Sequence, residues 1–124
     1  MVDGFGRTIR YLRISVTDKC NLRCVYCMPE EGLEWLRRDE ILSYEEITRI
    51  VEVMAPMGLT RVRLTGGEPL VRKDLPDLVG QLSRVPGIQD ISLSTNALLL
   101  APLARELRAA GVNRINVSLD SLRP

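Results

Sequence analysis

Four short apolar runs alternate with helix-type stretches along this chain, and that alternation constrains its fold more than any other feature. Thr8 to Val16 reads as the first strand, with Ile9, Leu12, Ile14 and Val16 apolar and a polar turn behind them. Ser43 stands three residues before Glu46, the pattern of a capping box. Ile47, Ile50, Val51 and Met54 then share one face of a helix over Tyr44 to Met57, which Pro56 and Gly58 end. Arg61 to Thr65 is a second strand running into Gly66-Gly67. Asp74 is placed to cap a helix with Pro76 in its first turn and Leu75, Leu78, Val79 and Leu82 as its apolar stripe. Pro86-Gly87 turns the chain into a third strand, Ile88 to Ser94. Pro102 lies near the start of a helix carrying Leu103, Leu107 and Ala110, stopped by Gly111, and Val112 to Leu119 is a fourth strand. Pro29 to Gly32 reads as a turn, and Leu33 to Leu42 fits neither period. Strands alternating with helices imply right-handed crossovers and a parallel sheet, an α/β fold.

Composition narrows the class without naming a function. The 124 residues suffice for one small domain with a modest core. A net charge of +1 and an aromatic content of 4% argue against bulk nucleic-acid or membrane attraction and against a base-stacking platform. No apolar run approaches the roughly 20 residues that span a bilayer. Met1 to Arg7 has no basic segment followed by an apolar core, so a secretory leader is not expected.

The chemistry concentrates in Cys20, Cys24 and Cys27, the only three cysteines, all within eight residues. An odd number of thiols so closely spaced cannot form a disulfide framework. Three thiolates can hold three irons of a cubane cluster and leave the fourth open for a ligand. Lys19 and Arg23 place positive charge beside them, which favours the thiolate form. Cys24-Val-Tyr-Cys27 also fits half a zinc site or a redox dithiol. Zinc would want a fourth ligand, and the chain has no histidine; a dithiol would leave Cys20 unexplained. A cytosolic setting suits reduced thiols.

Other suggestive segments fall at strand ends, where parallel α/β folds gather their ligands. Thr65-Gly66-Gly67-Glu68-Pro69 follows the second strand, Ser94-Thr95-Asn96 ends the third, and Ser118-Leu-Asp120-Ser121 ends the fourth. Gly66-Gly67 permits close backbone approach to a ligand, and Glu68 suits either an ammonium partner or a buttress for the loop. Arg13 and Arg63 are charges inside apolar strands, so each needs solvent, a partner or an anionic ligand such as a triphosphate.

The C-x3-C-x2-C arrangement with Tyr26 before the last cysteine resembles the signature of radical S-adenosylmethionine enzymes. Gly6-Arg7, Tyr11-Leu-Arg13-Ile-Ser-Val-Thr-Asp18 and Cys27-Met-Pro29 resemble, within it, the N-terminus of the GTP 3′,8-cyclase family of molybdenum cofactor biosynthesis. The resemblance implies a partial (β/α)6 TIM-like barrel, of which residues 1–124 would form about the first half, the N-terminal portion of the radical core domain. A fourth strand without its covering helix agrees with a fragment, whose remainder would bring a second cluster, a substrate lysine and further cofactor contacts. It implies a 4Fe-4S cluster on Cys20, Cys24 and Cys27, and S-adenosyl-L-methionine touched by Tyr26, Gly67 and Ser118. GTP would be bound by Arg13, Arg63 and Ser94, and the radical would belong to the cofactor and not to a side chain. An external one-electron reductant, a downstream cyclic pyranopterin monophosphate synthase and a full-length homodimer complete the implied partners. Two alternatives stay open: another radical enzyme acting on a different substrate, such as a peptide-modifying or maturation enzyme, and a non-catalytic zinc or electron-transfer module. The sequence departs from the family at Ser94-Thr95-Asn96-Ala97, where Thr-Thr-Asn-Gly is expected. Ser94 keeps a hydroxyl, but Ala97 would be strained if the loop needs a positive φ.

Overall fold

A computed structural model describes residues 2–27 and 34–123. The expected turn at Pro29 to Gly32 and the Met28-Pro29 pair lie outside the described residues. Four strands and three α-helices alternate: β1 (Tyr11–Ser15), α1 (Tyr44–Met54), β2 (Arg61–Thr65), α2 (Leu75–Ser83), β3 (Asp90–Thr95), α3 (Leu100–Ala110) and β4 (Arg114–Val117). The strands form one parallel sheet in the order β1-β2-β3-β4. Each strand pairs with the next in sequence, so right-handed crossovers put all three helices on one face, as in a barrel and unlike a doubly wound sheet.

Local chemistry explains most element ends. Ser43 Oγ accepts from the Glu46 N–H at 3.1 Å, and the Glu46 carboxylate accepts from the Ser43 N–H at 2.7 Å, so the capping box forms. The α-helical hydrogen bonding stops at Met54, short of the expected Met57, and Ala55–Met57 tightens into a 3-10 turn around Pro56 before Gly58 at φ 102°. Asp74 precedes α2 as expected, but at φ 56° its side chain makes no capping bond. The first strand is shorter than its apolar run, because Thr8 bridges back to Val2. Leu33 to Leu42 contributes only a 3-10 turn at Arg38–Glu40 among its described residues.

The sheet has two unlike faces. Val62, Leu64, Ile91 and Leu93 are buried against Ile47 and Val51 of α1, Leu78, Val79 and Leu82 of α2, and Leu107 of α3. On the other face, register lines up Tyr11, Arg61 and Asp90; then Arg13, Arg63, Ser92 and Arg114; then Ser15 with Thr65, and Ser94 with Asn116. Parallel strands usually carry apolar residues on both faces. A polar helix-free face is what the lumen of a ligand-binding barrel requires. On β4, Ile115 is in register with Leu93 on the helix side yet 38% exposed, and Val117 is 55% exposed.

Candidate cluster and ligand site

The strand C-termini bring four loops together around the cysteine segment. After β1, Val16 and Thr17 are buried and the chain then reaches Cys20. The Gly67 N–H donates to the Thr17 carbonyl and the Glu68 N–H to the Lys19 carbonyl, both at 2.8 Å. A Cβ on Gly67 would overlap the Lys19 carbonyl oxygen and lie 2.6 Å from that of Asp18. A Cβ on Gly66 would overlap the Thr17 carbonyl oxygen. The glycine pair therefore admits the backbone that leads into the cysteines. An ammonium ligand could use only a carbonyl here, since the Gly67 N–H is committed and an ammonium is itself a donor.

The other strand ends hold the cysteine loop through side chains. Asn96, after β3, donates from Nδ2 to Oδ1 of Asn21 at 2.8 Å. Tyr26 Oη donates to Asp120 Oδ2, beyond β4, at 2.7 Å. The Asp120 carboxylate and, second to it, the Cys24 sulfur both act as acceptors for the Tyr26 O–H, and hold that hydroxyl well above its ordinary pKa. Tyr26 remains 72% exposed, so its ring face is open beside the thiols. Ser118 is exposed, and its N–H donates to the Thr95 carbonyl at 2.8 Å, which fixes its backbone at the β4 end.

Cys20 and Cys24 are half-buried, Cys27 is exposed, and none is in a disulfide. The Cys27 N–H donates to the Cys24 carbonyl at 2.9 Å, turning the chain between them. Among the described residues no group of three or more His, Cys, Asp or Glu surrounds a single ion. A cubane asks for something different, one thiolate on each of three irons. Three free thiols on a turning loop, with no histidine in the chain, fit that cluster.

Glu68 is 1% exposed. Its Oε1 accepts from the Leu70 N–H at 3.1 Å and from Thr95 Oγ1 at 2.6 Å, and its Oε2 accepts from the Asn96 N–H at 2.7 Å. Of the two roles its position suggested, the structure supports the buttress. Neither this network nor Asn21 could be read from the sequence; the only signal was two polar clusters at successive strand ends.

Arg13 and Arg63 stand opposite each other on the polar face. Arg13 Nη2 donates to Thr65 Oγ1 at 3.4 Å, and Arg63 Nε donates to Ser92 Oγ at 3.3 Å with its guanidinium 5.6 Å from the Tyr11 ring centre. Among the described residues neither is ion-paired, whereas Arg114 in the same row pairs with Asp90. Two cations with only neutral partners leave their charge available to an anion. Ser94 is half-buried, one row toward the strand C-terminus.

The family model described as "Radical SAM superfamily" matches residues 14–124. The chain belongs to the radical SAM superfamily. Its cofactors are those of that superfamily, a 4Fe-4S cluster and S-adenosylmethionine, and the thiol set fits them. This radical SAM chain is 60% identical over 123 residues to the GTP 3′,8-cyclase of Pelotomaculum thermopropionicum, covering 99% of the chain and 38% of that protein. It is 54% identical over 124 residues to the GTP 3′,8-cyclase of Heliobacterium modesticaldum, covering 100% of the chain and again 38% of the relative. The chain thus spans well under half the length of these curated relatives. Among solved structures, BtrN in an open conformation matches with a TM-score of 0.69 at 21% identity, over 94% of this chain and 52% of BtrN. At that identity the likeness shows the fold, consistent with the consecutive parallel strands of a partial TIM-like barrel. No helix among the described residues is long and apolar enough to cross a membrane.

Proposed function

We propose that residues 1–124 are the N-terminal portion of the core domain of a radical SAM GTP 3′,8-cyclase, acting in molybdenum cofactor biosynthesis. The observation that carries this reading is 51–60% identity to proteins of that name along essentially the whole chain. When bound and reduced, the cluster supplies the electron that splits S-adenosylmethionine into methionine and a 5′-deoxyadenosyl radical. The substrate is GTP and the product (8S)-3′,8-cyclo-7,8-dihydroguanosine 5′-triphosphate. Cys20, Cys24 and Cys27 hold the cluster. Tyr26 offers its exposed ring to the adenine, the Gly67 carbonyl accepts from the methionine ammonium, and Ser118 contacts the cofactor at the β4 end. Arg13 and Arg63 take the triphosphate, with Ser94 as a hydroxyl contact above them. The two arginines, which have no carboxylate partner among the described residues, support the anionic substrate. The reading further comprises an external one-electron reductant, a cytoplasmic full-length homodimer and a cyclic pyranopterin monophosphate synthase that consumes the product.

The test uses the full-length protein, reconstituted anaerobically and reduced. It should be brown, with a broad absorbance near roughly 400 nm that Cys→Ala change at any ligand removes. 5′-Deoxyadenosine and the cyclised nucleotide should form only when GTP is present. Colourless protein carrying one zinc, or cofactor cleavage indifferent to GTP, would overturn the reading.

A further inference from the structure

Glu68 uses its backbone and its side chain on different loops. Its N–H donates to the Lys19 carbonyl at 2.8 Å, one residue before Cys20. Its carboxylate, 1% exposed, takes Thr95 Oγ1 and the Asn96 N–H from the end of β3, adjoining Ser94. Thr95 Oγ1 in turn accepts from the Ala97 N–H at 3.0 Å, holding the loop that follows. Among the described residues no cation pairs with this carboxylate, and three neutral donors stabilise it. A carboxylate offers about four lone-pair positions, so little capacity is left for a ligand. A buried charge held only by hydrogen bonds is sensitive to the loss of any one of them.

We propose that Glu68 is a positioning residue that couples the cofactor side of the site to the substrate side, and is not itself a contact to the cofactor ammonium. The inference rests on the cyclase reading for the identity of the second ligand. The physical reason is geometric. The glycine loop touches the backbone leading to the cysteines, and the β3 end carries Ser94. Glu68 is the one described side chain that hydrogen-bonds from the first to the second while its own N–H touches the cysteine segment. Both ligands therefore sense the same carboxylate without meeting it.

Glu68→Gln in the full-length, cluster-loaded protein tests this. An amide keeps one acceptor oxygen and turns a donor toward the Asn96 N–H or the Thr95 hydroxyl. Iron content should stay at the wild-type level, because no ligand thiol is touched. The Kd values for S-adenosylmethionine and for GTP, measured separately by calorimetry, should both rise by about tenfold, within the range for one unsatisfied buried group. 5′-Methylthioadenosine, which lacks the amino acid moiety, should lose affinity too. If only S-adenosylmethionine weakens while methylthioadenosine and GTP bind as in wild type, Glu68 is a direct ammonium ligand and the proposal fails. It also fails if both affinities are unchanged and only the thermal midpoint drops. Should Glu68→Gln not fold, Thr95→Val removes the bond to Glu68, together with the acceptor of the Ala97 N–H, and leaves the carboxylate in place; a rise in both Kd values supports the proposal, and unchanged values overturn it. Wild-type protein that binds S-adenosylmethionine but no GTP would sink the cyclase reading instead, and the methylthioadenosine comparison would still decide whether Glu68 contacts the ammonium.

Discussion

Ala97 shows how far a single residue can be read from sequence alone. It occupies the position where the resembled family has glycine, and its backbone sits at φ 67°, in the left-handed region. An L-residue there is strained by about 1–2 kcal/mol, while glycine gives back part of that through its freer unfolded chain. Ala97→Gly should therefore stabilise the chain by about 0.5–1 kcal/mol, seen as a higher urea midpoint at unchanged m-value. A lower midpoint would show that the loop does not hold Ala97 in this conformation. The strain was legible because one residue type departs from a motif. The cysteine triplet was legible for the same reason, as spacing within eight residues carries its chemistry. For Glu68 the sequence offered the buttress only as one of two roles and could not name its partners: Thr95 and Asn96 lie 27 and 28 residues away, and nothing local marks a carboxylate as buried. Asn21 and Asn96, 75 residues apart, escape for the same reason.

At the level of elements, period and punctuation found every α-helix and strand among the described residues, but not the 3-10 turns at Arg38–Glu40 and Pro69–Val71, and missed ends where a competing bond decides. Ser43 and Glu46 satisfy each other's backbone groups at the start of α1, as their three-residue spacing predicts. The Ser43 N–H and hydroxyl both act on the Glu46 carboxyl, and hold its pKa below the ordinary 4.5. A depressed folded-state pKa adds stability above the unfolded value, lost as pH falls through the folded one. Wild-type stability should thus decline as the solution is acidified below about pH 4.5, and Glu46→Gln should flatten that part of the profile. Ser43→Ala should cost about 1 kcal/mol at neutral pH, checked by urea unfolding. A neutral-pH loss near zero would mean the box contributes nothing to α1. Where the sequence misled, as at Met57 or Thr8, the cause is Pro56 withholding its N–H or Val2 capturing a strand residue.

For the whole molecule, the informative property is the contrast between the two faces of the sheet. The helix face closes over Leu64 and Leu93, both fully buried, and opens again at β4, where Ile115 and Val117 are uncovered. The other face carries arginines in register on adjacent strands, Arg13 opposite Arg63. Like charges directly opposite on neighbouring strands oppose each other by a few tenths of a kcal/mol. No carboxylate among the described residues relieves this pair. Such an arrangement is unfavourable for folding and favourable for an anionic ligand, the trade expected where a site is built into a sheet. Arg13 is the cleaner probe, since its one side-chain hydrogen bond among the described residues is the long 3.4 Å contact to Thr65. Arg13→Met in the full-length protein should leave stability without nucleotide unchanged or raise it by up to about 0.5 kcal/mol. The same change should weaken GTP by roughly tenfold, the loss of about one charge-assisted contact, and leave guanosine binding unaffected. Raising salt should narrow the wild-type advantage, because the exposed Arg13 guanidinium is screened within about 10 Å at 0.1 M. Equal losses for GTP and guanosine would place Arg13 away from the phosphates, and a stability drop beyond about 1 kcal/mol would make it structural. Since register puts Arg63 and Ser92 in the same row, Arg63→Met should weaken GTP relative to guanosine in the same way, while costing the Ser92 bond and the Tyr11 contact that Arg13 lacks. If the proposed reading holds, the two variants separate what the triphosphate needs from what the sheet needs to fold.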